Sequence, residues 1–260
     1  MRICYTYDTC LAMKTVAIIP ARYTSSRLEG KPLLDIAGKP MVQRVYEAAS
    51  QAQLIDRVIV ATDDRRILDT VTHFGGEAEL TSTHHVSGTD RVAEVAGQLP
   101  CDTVVNLQGD EPLMEPQLID ELIRALLDDQ DVYMASAQSP IRLRADLTNP
   151  SIVKVVSDHN DYALYFSRSP IPYHVSSDQA ARDFLGFKHI GLYIYRKDFL
   201  MKVVTLDPSP LEKKERLEQL RVLENGYRIK LISTDYDAPG VDTPADLKQV
   251  RERIAQLEDN

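Results

Sequence analysis

The chain has 260 residues, 43% of them hydrophobic and 27% charged, with 11 glycines and 14 prolines. Those values exclude collagen-like, low-complexity and disordered classes, and the length suffices for one large α/β domain or two small ones without disulfide or metal staples. The 30 basic and 39 acidic residues leave a net charge of −9, which argues against nonspecific nucleic-acid binding but permits a local basic pocket for a small anion.

Residues 1–12 carry no periodic pattern and read as a frayed or mis-assigned leader, with Met13 opening the first strand pattern. The run TVAII at 15–19, stopped by Pro20, predicts a strand buried on both faces. A polar loop follows to Lys39, and Pro40 starts a helix whose stripe is Met41, Val42, Val45, Tyr46 and Ala49. The pattern then predicts a strand over 57–61, a helix over 64–74, a strand over 77–81 after Gly75-Gly76, and a helix over 89–98. DTVVNL at 102–107 is another central strand, and Leu118, Leu122, Ala125 and Leu126 mark the next helix.

Such alternation predicts an α/β fold with a doubly wound, mainly parallel sheet, whose ligands bind beyond the carboxyl ends of the strands. The rhythm changes near 131, with strand-like runs at 132–137, 152–156, 162–166 and 188–195. The expectation is a single domain over 13–260 with an inserted, partly antiparallel region at about 139–205. A charged helix is then expected over 210–224 with Leu217, Leu220 and Leu223 inward, and a strand over 227–232. The last helix carries Leu247, Val250, Ile254 and Leu257 on one face, and Thr243, Pro244 and Asp246 supply its start signal.

The three cysteines, Cys4, Cys10 and Cys101, show no paired short spacing, so neither a disulfide framework nor a zinc site is expected. No apolar run reaches about 18 residues, and Asp8 interrupts the N-terminus before a signal region develops. A cytoplasmic location is expected.

Two loops carry the candidate chemistry. Arg22, Ser25, Arg27 and Lys31 follow the first strand and form a cradle suited to phosphate oxygens, although neither a Walker loop nor GxGxxG is present. The sequence QGDEP at 108–112 closes a central strand with hard oxygen ligands; Asp110 is a plausible magnesium anchor, and Glu111 is the alternative. Asp242 reads more readily as part of a helix start than as a ligand, and His84 to Arg91 reads as a helix entry in preference to a ligand-contacting turn. Without GxSxG or a nucleophilic-cysteine motif, covalent hydrolase chemistry has no foothold.

Taken in order, IPARY at 19–23, GKPL at 30–33, ATD at 61–63, SGT at 87–89, NLQGDEP at 106–112, ALYFSR at 163–168, HIGLY at 189–193, LEQLR at 217–221 and VDTP at 241–244 resemble the 3-deoxy-manno-octulosonate cytidylyltransferase family. The resemblance implies transfer of CMP from CTP to the anomeric hydroxyl of 3-deoxy-D-manno-octulosonate (KDO), with release of pyrophosphate, in lipopolysaccharide synthesis. It implies Arg22, Lys31 and Asp110 as catalytic residues, with Mg²⁺ as cofactor on Asp110 and Asp242. Nucleotide contacts fall to Ala21, Arg22, Ser25, Arg27, Lys31, Ala61, Asp63, Ser87, Gly88 and Thr89. Sugar contacts fall to Gln108, Arg168, His189, Tyr193, Glu218 and Gln219, with Arg168 as the cation for the sugar carboxylate. A homodimer joined through the inserted region is implied as well. Two departures stand out: Glu29 where the family usually has Pro, and Asp90 where Glu is common. Transferases acting on an 8-amino-KDO or sialic acid, and a non-enzymatic nucleotide-sensing module, remain the rival readings.

Overall fold

The computed structural model describes residues 14–24, 28–173, 184–237 and 239–258. The leader 1–12, Met13, Cys4, Cys10, Ser25 and Arg27 lie outside these residues.

The first strand, β1 (Thr15–Ala21), is followed by a short hairpin of β2 (Asp35–Ile36) and β3 (Lys39–Pro40), and Pro40 leads into α1 (Met41–Ser50). Next come β4 (Arg57–Thr62), α2 (Arg65–His73), β5 (Glu77–Leu80), α3 (Gly88–Gly97), β6 (Thr103–Leu107) and α4 (Pro116–Leu127). Caps set the helix starts: the Asp64 carboxylate accepts from Arg66 N at 2.9 Å, and Ser87 and Asp90 exchange side-chain and backbone hydrogen bonds at 3.1 Å. The aspartate at 90 is therefore long enough to close the capping box.

Beyond α4 lie β7 (Met134–Pro140), α5 (Arg144–Thr148), β8 (Lys154–Ser157), β9 (Ala163–Ser167) and β10 (Phe187–Arg196). The chain then runs through α6 (Lys197–Val203), α7 (Pro210–Glu215), α8 (Leu220–Glu224), β11 (Lys230–Ser233) and α9 (Pro244–Glu258). The main sheet has the order β11-β7-β10-β6-β1-β4-β5. Pairing is parallel from β6 through β5 and between β11 and β7, while β10 runs antiparallel to both neighbours. The strand at 188–195 thus stands inside the central sheet; β8 pairs with the start of β10, and β9 pairs with β8, as a side branch.

Alternation along β1 divides the interior into two layers. Ala17, Ile19 and Ala21 pack with Val42, Ile67 and Ile119 of α1, α2 and α4, and Val16 and Ile18 pack with Val92, Ala96 and Leu200 of α3 and α6. A third cluster joins Ile36 and Met41 to Leu247, Val250 and Ile254 of α9, which anchors the C-terminal helix beside the loop that follows β1.

Three expectations are corrected. The helix over 210–224 is broken, because Arg216 adopts a left-handed conformation (φ +56°) that ends α7. The final strand starts at Lys230, not 227. Leu257 is 64% exposed and lies off the buried stripe of α9.

Candidate active site

Gly30 sits at φ +64° with Tyr23 against it, where a Cβ would meet the ring at 3.1 Å, and its N–H donates to the Tyr23 carbonyl at 2.9 Å. That turn sends the chain into a short 3-10 segment, Lys31–Leu33, and brings Lys31 back over the end of β1. The Arg66 guanidinium lies 3.3 Å from the centre of the Tyr23 ring and braces the loop from α2. Glu29 is exposed, and its charge is felt by Arg66.

The loop after β6 lies against the same strand end. A Cβ on Gly109 would come within 3.0 Å of the Pro20 carbonyl, so glycine is what allows the two loops to touch. From the other side, Val241 N donates to the Asp110 carbonyl at 2.9 Å, which draws in the segment carrying Asp242. Lys31 Nζ consequently lies 2.7 Å from Asp110 Oδ2 and 2.9 Å from Asp242 Oδ1. Burial lowers the affinity of Lys31 for its proton, but Asp110 and then Asp242 outweigh it and raise its pKa.

Glu111, next along the chain, is held by Tyr236 and not by Lys31. Burial first, and the Asp110 charge second, push its carboxyl up to about 8, and Tyr236 donates to Oε2 at 3.1 Å.

These loops surround a cleft of about 470 Å³ lined by Ala21, Arg22, Lys31, Ser87, Gly88, Arg91, Asp110 and Asp242, among others. Ala61 is fully buried within β4 and does not reach it. Asp63 stands behind its wall, where it holds Arg91 at 2.7 Å. Arg91 is a site residue that sequence reasoning missed: it was absorbed into the helix entry, although its position in the first turn of α3 faces the cleft. His85 also lines the cleft, with its ring nitrogen on Glu94.

A second cavity of about 290 Å³ adjoins the first through Gly88 and Gln108, which line both. Thr89, His189, Tyr193, Tyr195, Glu218 and Gln219 complete much of its wall, so Thr89 belongs to this side. Glu218 and Gln219 arrive on the turn created by the break at Arg216. Burial pushes the Glu218 carboxyl up, against hydrogen bonds from the hydroxyls of Thr89 and Ser87. Burial pulls the His189 imidazole down to about 3, and its Nε2 lies 2.8 Å from Ser136 Oγ. Burial, with Glu218 adding to it, raises Tyr193. The cavity therefore offers neutral imidazole, phenol, amide and hydroxyl groups, a set suited to a polyhydroxylated ligand.

Among the described residues, no arginine or lysine lines this second cavity. Arg168, expected there as the carboxylate's partner, has its guanidinium on main-chain carbonyls: Nε on Glu215 at 2.8 Å, one terminal nitrogen on Pro150 at 2.9 Å and the other on Arg216 at 3.4 Å. A larger cavity of about 550 Å³ lies at the opposite end of the sheet beside Cys101 and Phe199. Its Arg196 and Lys197 likewise donate to main-chain carbonyls.

Comparison with known proteins places this geometry. Residues 16–231 match the cytidylyltransferase family model. The chain is 55% identical to 3-deoxy-manno-octulosonate cytidylyltransferase of Geotalea uraniireducens, over 93% of this chain and 99% of that protein. It is 49% identical to the protein of the same name from Geobacter metallireducens, over 95% and 100%. The solved structure of CMP:2-keto-3-deoxy-manno-octonic acid synthetase complexed with CTP superposes with a TM-score of 0.88 at 46% identity, covering 94% of this chain and 99% of that one. A cytidylyltransferase from Leptospira borgpetersenii shares the fold at a TM-score of 0.64 and 16% identity, over 94% and 87%.

Proposed function

The chain belongs to the 3-deoxy-manno-octulosonate cytidylyltransferase family and transfers CMP from CTP to KDO, giving CMP-KDO; from that premise we propose which residues carry each part of the reaction, and that the product serves lipopolysaccharide synthesis. The observation that carries the assignment is the pair of cavities sharing Gly88 and Gln108, with Lys31, Asp110 and Asp242 gathered in the first.

CTP occupies the larger cavity. Arg22 and Lys31 neutralise the phosphates and the departing pyrophosphate, while Ser87 and Gly88 present the start of α3 to the nucleotide. Arg91, fixed by Asp63, supplies a buried cation at the same wall. KDO occupies the smaller cavity, where Gln108, His189, Tyr193, Glu218 and Gln219 orient its hydroxyls. The anomeric oxygen then faces the α-phosphorus across the Gly88–Gln108 boundary; the new O–P bond forms as the bond to pyrophosphate breaks. Catalysis by positioning and charge neutralisation fits a site without a nucleophilic triad.

Asp110 and Asp242 are the residues that would hold Mg²⁺. The fit rests on their donor chemistry: two carboxylates converge on one cationic position, marked by the Lys31 ammonium, at 2.7 and 2.9 Å. Magnesium characteristically takes one or two carboxylates and completes its shell with water and substrate phosphate. When bound, the ion would neutralise phosphate charge and make a coordinated hydroxyl more nucleophilic.

A homodimer formed through the β8–β9 branch is supported by the exposed apolar side chains Leu143 (62%), Leu164 (61%) and Tyr173 (89%) in and around it. Sedimentation of Leu164→Glu should show a shift toward monomer if that surface is the contact. The reaction itself is tested by pyrophosphate release from CTP, KDO and Mg²⁺. Folded protein with no turnover above a metal-free control would refute the magnesium assignment.

A further inference from the structure

Glu218 and Gln219 reach the smaller cavity from the turn between α7 and α8, and β9 holds the start of that turn. The Glu215 carboxylate, at the end of α7, accepts from the Ser167 hydroxyl at 2.7 Å and from Arg168 N–H at 3.0 Å. The Glu215 carbonyl accepts from Arg168 Nε at 2.8 Å, and the Arg216 carbonyl accepts from a terminal nitrogen at 3.4 Å. The guanidinium thus grips the backbone on both sides of the one left-handed residue in the turn. A non-glycine residue persists in that conformation only where its surroundings over-determine it. The other end of the clamp is fixed too. The fully buried Lys154 donates to the carbonyls of Asn149, Ile152 and Arg168 at 2.9, 2.6 and 2.7 Å. A separate ion pair, Arg221 with Glu212, ties α8 to α7 but makes no connection to β9.

We propose that Arg168 and Glu215 form a positioning pair for the sugar substrate: they hold the 216–219 turn so that Glu218 and Gln219 point into the sugar cavity, and Arg168 does not itself contact the sugar carboxylate. The inference rests on the smaller cavity being the KDO site. It assigns Glu215 a part in substrate selection that no motif in the sequence marks, and it moves Arg168 from ligand to scaffold. The forked geometry matters, because a lysine carries the same charge as a single compact ammonium and lacks the rigid planar fork whose Nε and terminal nitrogen span the Glu215 and Arg216 carbonyls.

The experiment is steady-state kinetics on Glu215→Ala, Arg168→Ala, Arg168→Lys and the double alanine variant, with thermal melts to confirm folding. Each single variant should raise KM for KDO by about 10-fold to 100-fold while KM for CTP stays within about twofold, because misplacement is confined to the sugar wall. The double variant should be no worse than the poorer single within about threefold, since both break one device, and Arg168→Lys should not rescue. The penalty of Arg168→Ala should be the same with the methyl ester of KDO as with KDO. A penalty that disappears with the ester would reveal direct carboxylate contact and overturn the proposal, as would a normal KM for KDO in Glu215→Ala. If the alanine variants do not fold, Ser167→Ala removes the hydroxyl tie to Glu215, together with the Ser169 N–H contact to the same oxygen, and should give the same selective rise at smaller size; an unchanged KM there would also overturn it. Glu218→Gln separates the two levels of the argument. If it raises KM for KDO while Glu215→Ala does not, only the positioning pair fails; if it leaves KM unchanged, the cavity assignment fails and the pair's role with it.

Discussion

Asp110→Asn removes one negative charge 2.7 Å from Lys31 Nζ while preserving side-chain shape. At an effective dielectric constant of ~20, that contact is roughly 6 kcal/mol of gross Coulomb energy. Most of it does not count toward stability. The Asp110 side chain is 33% exposed, and Asp242 remains 2.9 Å from the same ammonium, so screening and the surviving partner leave a net loss of about 1–2 kcal/mol. For a chain of this size that corresponds to a Tm fall of about 2–8 °C. Turnover should fall much further, by about 100-fold to 1,000-fold, because an electrostatic anchor at the reacting phosphate is lost where charge redistributes in the transition state. Pyrophosphate release at saturating CTP and KDO, titrated with Mg²⁺, reads the catalytic effect, and calorimetry reads the structural one. Glu111→Gln is the matched control: burial and the Asp110 charge push the Glu111 carboxyl up to about 8 and Tyr236 holds it, so turnover should stay within about threefold. An Asp110→Asn variant that melts normally and retains parental kcat would refute the reasoning.

Three further outcomes are expected. With the folded His189 imidazole held at about 3 against ~6.5 when unfolded, the unfolded chain takes up a proton below that value which the native state refuses. Its contribution is complete above pH ~6.5 and falls by about 1.4 kcal/mol per unit below it, roughly 2 kcal/mol between pH 7 and 5; His189→Gln should flatten the melting profile by that amount, and parallel profiles would contradict the shift. Gly109→Ala places a methyl within 3.0 Å of the Pro20 carbonyl, so it should cost about 1–3 kcal/mol and raise KM for CTP, as urea melts and kinetics would show. Arg91→Ala strands the Asp63 carboxylate, 21% exposed, and should cost about 3 kcal/mol with weaker CTP binding by calorimetric titration; unchanged affinity would remove Arg91 from the nucleotide wall.

Much of the architecture is legible locally. Continuous apolar runs mark β1, β4 and β6 because strands covered on both faces need no polar side, and Thr243 marks the start of the last helix because its hydroxyl accepts from the Asp246 N–H three residues away. The phosphate loop and QGDEP are recognisable for a related reason: ligand-binding loops follow the carboxyl ends of such strands, so their place along the chain already locates them.

Other features depend on contacts between residues distant in sequence. Asp110 and Asp242 are 132 positions apart, and only the packing of the α9 entry onto the loop after β6 brings them to one ammonium. Asp110 and Glu111 are adjacent and chemically alike, yet one faces the cleft and the other is buried against Tyr236. The family resemblance makes Arg168 a sugar ligand, whereas in the fold three of its guanidinium donors go to main-chain carbonyls. The sequence by itself determined most of the strands and helices, the mainly parallel class and the family; only the tertiary structure decided the break at Arg216, the place of β10 inside the sheet and how the charged side chains gather at the two cavities. The physical reason is range: helix and strand patterns are written in neighbours a few residues apart, whereas the direction of a charged side chain is settled by whichever partner, near or far in sequence, the folded chain sets within hydrogen-bonding distance.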